Sequence, residues 1–328
     1  MYHPNHDQLV AKLKLRTNVY IHGPTGSGKT EGIKRAASAC NLPFYKKLLG
    51  NQTSESSIIG YMSANGDYVK GIAYDAFTLG GVLCMDEVDN GNPNTTLVCN
   101  GLADREFAFP CGMREAHKDF VLVATANTIG TGATLEYCGR NRLDAAMLNR
   151  FEFISWGYDN KLEFKIAEFN ATETAQLNNL QVDVDKIKLL VDDIHRFRLV
   201  LKELNINHII SPRNTIQAVK AFVIGRPTGE IIKSILFKGM DTDTIKRIFE
   251  KSQKMVEDQR KSGSFKGDNY LATIAANEHI EQAKALLGDK FNDYLEGLKL
   301  KQAKHAASYG IQDKDTNNSP DPFDKIRF

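Results

Sequence analysis

Eight consecutive residues, Gly23-Pro24-Thr25-Gly26-Ser27-Gly28-Lys29-Thr30, limit what this chain can fold into more than any other stretch. They fit G-x-x-x-x-G-K-[ST] without a mismatch, directly after the β-rich run Asn18-Val19-Tyr20-Ile21-His22 and directly before a helical pattern over residues 29–40. A strand that hands a glycine loop to a helix N-terminus is a phosphate-binding device. The glycines let the backbone wrap closely, so that successive N–H groups and the helix N-terminus face the phosphates. Lys29 reaches the β and γ oxygens, and the Thr30 hydroxyl is placed to ligate magnesium.

Holding a phosphate does not hydrolyse it, so a second, acidic element is needed. Val82-Leu83-Cys84-Met85-Asp86-Glu87 supplies one: an apolar strand ends in Asp86, available to the magnesium shell, and in Glu87, which can orient and deprotonate a water. Further apolar runs at residues 44–49, 120–125 and 151–156 read as strands alternating with helical segments. The alternation predicts an α/β fold with a parallel five-stranded sheet flanked by helices, because crossovers between parallel strands need helices. Two insertions with hairpin character interrupt it. Residues 51–79 contain Asn65-Gly66-Asp67, where glycine permits the positive φ of a tight turn, and residues 105–119 can pair back on themselves ahead of the strand at Phe120.

Beyond residue 159 the pattern turns helical, over residues 161–169, 184–204, 212–223, 241–254 and 277–301, with Ser211 as an N-cap and Pro212 at the first helical position. The expected organisation is a nucleotide-binding domain over residues 1–158, a helical lid and C-terminal extension over 159–306, and a polar, flexible tail over 307–328.

Charge narrows the partners. The chain has 42 Lys and Arg against 40 Asp and Glu, a net +2, which disfavours a bulk electrostatic grip on nucleic acid. The basic group His195, Arg196, Arg198 and Lys202 reads as a solvated helix face, with Glu203 interleaved. No run approaches the roughly 18 apolar residues of a membrane span, and the first ten residues lack a signal-peptide core; the expectation is a cytoplasmic protein without a membrane partner. The five cysteines contain no C-x-x-C pair and read as reduced thiols. Neither Cys99, Cys111 and His117 nor His3 and His6 supply the second closely spaced ligand pair that a zinc site needs.

Several runs carry a family resemblance: Asp86-Glu87-Val88-Asp89, Ala124-Thr125-Ala126-Asn127, Leu143-Asp144-Ala145-Ala146-Met147-Leu148-Asn149-Arg150-Phe151 and Ser211-Pro212-Arg213. Over about residues 15–225 the chain resembles the AAA+ ATPases of the MoxR and cobalt-chelatase (CobS-like, dynein-related) group, with the motifs in family order. Similar sequences are frequent in bacteriophage genomes, which would make the compartment a host cytoplasm. The resemblance implies ATP and Mg2+ as cofactors, with Gly23–Thr30 and Asp86 binding nucleotide, Thr30 and Asp86 holding the metal, and Glu87 activating water. By the same resemblance Asn127 is similar to sensor 1, Arg150 to the arginine finger and Arg213 to sensor 2. Asn149 stands where the family usually has aspartate, and Arg142 is a nearby competitor for the finger role.

The two insertions are placed like the helix-2 insert and the pre-sensor-1 hairpin of this clade. Their Tyr61, Met62, Tyr68 and Phe109 are available to grip a substrate or to pack on a neighbouring subunit. The implied activity is Mg-dependent ATP hydrolysis in a homo-oligomeric, hexameric ring. It would remodel a protein client, in relatives often with a von Willebrand A partner, or drive metal insertion. Two alternatives stay open: a nucleic-acid motor or loader, and a nucleotide-gated scaffold without turnover.

Overall fold

The computed structural model describes residues 1–261. The expected helix at 277–301, the tail at 307–328 and the end of the expected lid extension lie outside the described residues. The described residues divide into two compact units, one of Met1–Lys165 with Ser211–Arg213 and one of Ile166–Ile210 with residues 214–261.

The first unit holds α1 (His6–Lys14), β1 (Val19–His22), α2 (Lys29–Ala39), β2 (Phe44–Leu48), α3 (Ser56–Ile59), β3 (Gly60–Met62), β4 (Tyr68–Lys70) and α4 (Ile72–Leu79). It continues with β5 (Gly81–Asp86), a 3-10 turn at Val88–Asn90, α5 (Pro93–Ala103), β6 (Glu106–Phe109), β7 (Gly112–Glu115), β8 (Phe120–Ala126), α6 (Ala145–Leu148) and β9 (Glu152–Ser155). Five of these strands form one all-parallel sheet in the order β2-β5-β8-β1-β9, and β3-β4 and β6-β7 are separate antiparallel hairpins. All six residues of β5 and all seven of β8 are buried, as expected for central parallel strands covered on both faces.

Because side chains alternate along a strand, the sheet feeds two cores. Val82, Cys84, Val121 and Val123 face one way and pack with Leu9 and Leu13 of α1, Ile33, Ala36 and Ala37 of α2, and Trp156. Leu83, Met85, Leu122 and Ala124 face the other way, onto Ala73, Ala76 and Phe77 of α4 and Val98, Cys99 and Leu102 of α5. The expected strands are all present. The insertion at 51–79 is a short hairpin between α3 and α4, rather than a hairpin alone, and α5 was not anticipated.

The second unit is helical. It contains most of α7 (Asn160–Leu177) together with α8 (Val184–Glu203), α9 (Pro212–Val223), α10 (Thr228–Ile231), a π turn at Ile232–Leu236 and α11 (Thr242–Lys261). Phe197, Phe237 and Phe249 meet edge-on or tilted, with centroids 4.8 to 6.0 Å apart, at its centre. The π turn widens the backbone, and two side chains meet its carbonyls: Asn214 Nδ2 donates to Ile235 O and His208 Nε2 lies 2.7 Å from Leu236 O. The reading of α8 as a solvated basic face is corrected here. Arg196 is buried and paired with Asp193 at 2.6 Å, and Arg198 donates to Ile210 O. Among the described residues no helix is long and apolar enough to cross a membrane.

One close approach in the first unit is open to test. A Cβ at Gly32, inside α2, would lie 2.3 Å from the Trp156 ring, and that ring is stacked on His3 at 4.1 Å. Alanine favours a helix over glycine by about 1 kcal/mol, whereas overpacking a filled core costs about 1–3 kcal/mol. The clash should win. Gly32→Ala is expected to lower the urea unfolding midpoint, by about 1 kcal/mol of stability, when followed by far-UV circular dichroism; an unchanged or higher midpoint would show that the ring gives way freely.

Candidate functional site

Parallel strands deliver their carboxyl ends to one edge of the sheet, and the candidate residues collect there. Residues 23–30 leave β1, Asp86 and Glu87 end β5, and Asn127 follows β8. A cleft of about 550 Å³ at this edge is lined by Thr25 through Glu31, Lys34, Phe44, Lys46, Asp86, Glu87, Asn127 and Arg213.

The loop is held from both sides. Gly23 N donates to Ala126 O, Thr25 N donates to the Tyr137 hydroxyl, and the Tyr158 hydroxyl donates to Thr25 O. Gly26 and Gly28 sit at φ +74° and +81°, the left-handed region where other residues are strained. Gly28 is the N-cap of α2, so the unsatisfied N–H groups of that helix's first turn face the cleft. Ser27 Oγ is buried without a hydrogen-bond partner. An orphaned hydroxyl in a glycine cradle at a helix N-terminus is what an anionic ligand would satisfy.

Lys29 folds back onto its own loop, donating to Gly23 O at 2.7 Å, Pro24 O at 3.0 Å and Asn127 Oδ1 at 3.0 Å. Burial lowers its pKa to about 8, against the upward pull of Asp86, Asp89 and Glu87. A phosphate here would favour the charged form. Thr30 Oγ1 donates to both oxygens of Asp86, at 3.2 and 3.1 Å. Asp86 also pairs with Lys46 Nζ at 2.7 Å and accepts from the Thr125 hydroxyl. Burial pushes the Asp86 carboxyl up, but the bonds from Lys46, Thr125 and Thr30 outweigh it and leave the pKa below its ordinary value.

A hydroxyl beside one ionised carboxylate, open to phosphate oxygens, suits magnesium, which binds few protein groups and keeps several waters. Among the described residues no cluster of three or more His, Cys, Asp or Glu forms a protein-only metal cage.

Glu87 has φ +59° and ψ +48°, an uncommon conformation for a non-glycine residue. It carries the side chain into the cleft, where Arg140 Nη1 donates to its Oε2 at 3.1 Å and also to Asp89 Oδ1 at 3.2 Å. Asp89 is fully buried. Its Oδ2 accepts from Asn127 N, Thr128 N and Thr128 Oγ1, at 3.1, 3.1 and 3.0 Å. Lys46 and Arg140 were missed in the sequence, and Asp89 and Thr125, in the runs Asp86-Glu87-Val88-Asp89 and Ala124-Thr125-Ala126-Asn127, were quoted there without a role.

The structure does not bring every candidate together. Arg213 lines the cleft. Arg150 is not among the lining residues and instead makes a forked pair with Asp104, at 2.9 and 3.0 Å, while donating to Ala146 O. Arg142 is exposed, and its backbone bridges Thr131. Of the apolar residues on the insertions, Tyr61 and Met62 are exposed, Tyr68 is half-buried, and Phe109 is buried against Tyr74, Phe77 and Phe107, which removes it as a gripping residue.

The sheet order and the loop-to-helix junction are those of an α/β fold of the AAA+ P-loop type. Residues 18–151 match the family model described as AAA domain (dynein-related subfamily). Among solved structures, the chain is similar to NtrX from Brucella abortus in complex with ADP. The TM-score is 0.51 and the identity 14%, covering 89% of this chain and 66% of that one; the likeness is one of fold. The uncharacterized protein SERP0979 of Staphylococcus epidermidis is 26% identical over 47% of this chain and 62% of its own length. The uncharacterized protein YojN of Bacillus subtilis is 26% identical over 57% of this chain and 68% of its own. The chain thus spans about three fifths to two thirds of the length of these relatives.

Asp89 gives the sharpest test of the site's framework. Asp89→Ala would leave Arg140 without its buried partner, and two backbone N–H groups and the Thr128 hydroxyl without the acceptor they share. Breaking a buried pair in this way costs about 3–5 kcal/mol, and Asp89→Asn, which keeps one acceptor oxygen, should cost less. Thermal unfolding of the two variants checks the order; equal, small losses would show that the carboxylate is not the anchor.

Proposed function

We propose that this chain is a Mg-dependent ATPase of the MoxR/CobS-like kind, acting in a homo-oligomeric ring. The observation that supports it best is the convergence of Lys29, Thr30, Asp86, Glu87 and Asn127 on one cleft at a helix N-terminus. In this reading residues 23–30 hold the triphosphate, with backbone N–H groups and Lys29 against its oxygens. Thr30 and Asp86 hold magnesium, which when bound neutralises charge developing on the β and γ oxygens. Glu87 takes the proton of the attacking water, and Asn127, a neutral amide, hydrogen-bonds water or γ-phosphate without adding negative charge.

Arg150 serves a neighbouring subunit. Its placement outside the cleft of its own chain and its half-buried position at the surface support action in trans. A guanidinium offers forked donors and a permanent charge, here matched to the Asp104 carboxylate and equally suited to phosphoryl oxygens. Arg213, on the cleft wall, is the sensor 2 residue of this reading. Residues 1–158 are the nucleotide-binding domain and the helical part from 159 the lid. Hydrolysis at an interface between subunits would drive remodelling of a protein client or metal insertion, in the cytoplasm, with a von Willebrand A protein as one partner class.

Phosphate release and binding of a fluorescent ATP analogue separate the roles. Lys29→Ala should lose both binding and turnover. Glu87→Gln should bind nucleotide and lose turnover by at least about 100-fold. Undiminished turnover in either variant would remove the assignment.

Arg150→Ala should bind ATP yet turn over slowly, and mixing it with Lys29→Ala should restore part of the rate through mixed interfaces. A wild-type rate for Arg150→Ala alone would exclude it as the finger.

A further inference from the structure

Glu87 cannot position itself. Its left-handed backbone sends the side chain toward the cleft, where it is 38% exposed. A carboxylate on three rotatable bonds samples many orientations there. Misplacement of a reacting group by about 1 Å costs about 100-fold in rate, so a base in this setting needs an external hold.

Arg140 supplies one. Its side chain is 14% exposed, and its Nη1 is shared between Glu87 Oε2 and Asp89 Oδ1. The residue after it is pinned twice, by Asn141 N donating to Asp89 O at 2.7 Å and Asn141 Nδ2 donating to Gly91 O at 2.9 Å. The other oxygen of Asp89 is fixed by Asn127 and Thr128, and Asn127 accepts from Lys29. A continuous line of contacts therefore runs from the loop lysine through Asn127, Asp89 and Arg140 to the Glu87 carboxylate.

Charge decides what such a contact can do. The Arg140 charge is already matched by buried Asp89, and with one Glu87 oxygen engaged by Arg140 the other is left for a water.

We propose that Arg140 is a positioning residue for ATP hydrolysis, holding the Glu87 carboxylate in place over the cleft with Asp89 as its anchor. The proposal rests on the reading of Glu87 as the water-activating base. The test compares wild type, Arg140→Ala, Arg140→Lys, Glu87→Gln and the double variant Arg140→Ala/Glu87→Gln in the full chain with MgATP. Phosphate release, fluorescent-nucleotide binding and thermal unfolding are measured on each.

Arg140→Ala should lower kcat by about 10- to 100-fold, with nucleotide affinity within about twofold of wild type. Arg140→Lys, which restores a single point charge, should recover part of the rate. Adding Arg140→Ala to Glu87→Gln should slow turnover no further, because Arg140 acts through that carboxylate.

A kcat for Arg140→Ala equal to wild type would overturn the proposal, and a higher one would too, since the pair would then be a brake. Weaker nucleotide binding at unchanged kcat, or additive losses in the double variant, would also overturn it. Should Arg140→Ala not fold, Arg140→Lys carries the test: full activity with wild-type binding counts against positioning, and reduced kcat with wild-type binding supports it. If Glu87→Gln itself turns over like wild type, the reading of the base fails. If Glu87→Gln is inactive and Arg140→Ala fully active, the positioning proposal alone fails.

Discussion

The constraint on which the first unit rests is that β5 and β8 are buried on both faces. A strand closed in this way has no room for polar side chains along its length, so polar groups gather where it ends. Parallel direction makes those ends coincide. Asp86, Glu87 and Asn127 meet the loop after β1 because β1, β5 and β8 run the same way in adjacent or near-adjacent positions, not because they are near in sequence. The cleft is thus a by-product of how the sheet avoids buried polar groups.

The same logic shows in the charges at that edge. Lys29 is buried, and its ammonium is kept by carbonyls and by three carboxylates nearby. Asp86 holds Lys46 and two hydroxyls, and Asp89 holds Arg140 together with the backbone beyond β8. Asp86 and Asp89 are ion-paired and hydrogen-bonded, and Lys29 is hydrogen-bonded to three oxygens, as the cost of isolated charge demands. Groups that would serve a triphosphate and its metal here engage one another, so a ligand would exchange contacts with them and not fill an unsolvated void.

Much of this was legible in the sequence, for reasons that differ by residue. The loop was legible because its chemistry is local: eight adjacent residues suffice. The five strands were legible because burial on both faces writes continuous apolar runs. α5 was not, since Pro93-Asn94-Thr95-Thr96-Leu97-Val98-Cys99-Asn100-Gly101-Leu102-Ala103 is poor in strong helix formers and tertiary packing decides it. Arg140 was invisible because its partner Glu87 lies 53 residues away, and no local pattern marks such a pair. No local pattern marks Lys46 either. The register that pairs Leu48 with Asp86 puts Lys46 beside the acidic strand end. Arg196 was misread because its i,i+3 partner Asp193 turns a charged helix face into a buried pair. Phe109 was misread because an aromatic on a hairpin reads alike whether it points outward or into the core.

Trp156 is the chain's one tryptophan, and its carbonyl lies where a side chain on Gly23 would have to go, 2.1 Å from an added Cβ. Its indole is enclosed by His3 and α2. Indole emission responds to nearby dipoles and to shielding from water, so the chain carries a single indole, on the residue whose carbonyl lies against the first glycine of the loop. Occupancy of the loop can then be followed optically in the unlabelled protein, without a reporter that would itself disturb the cleft.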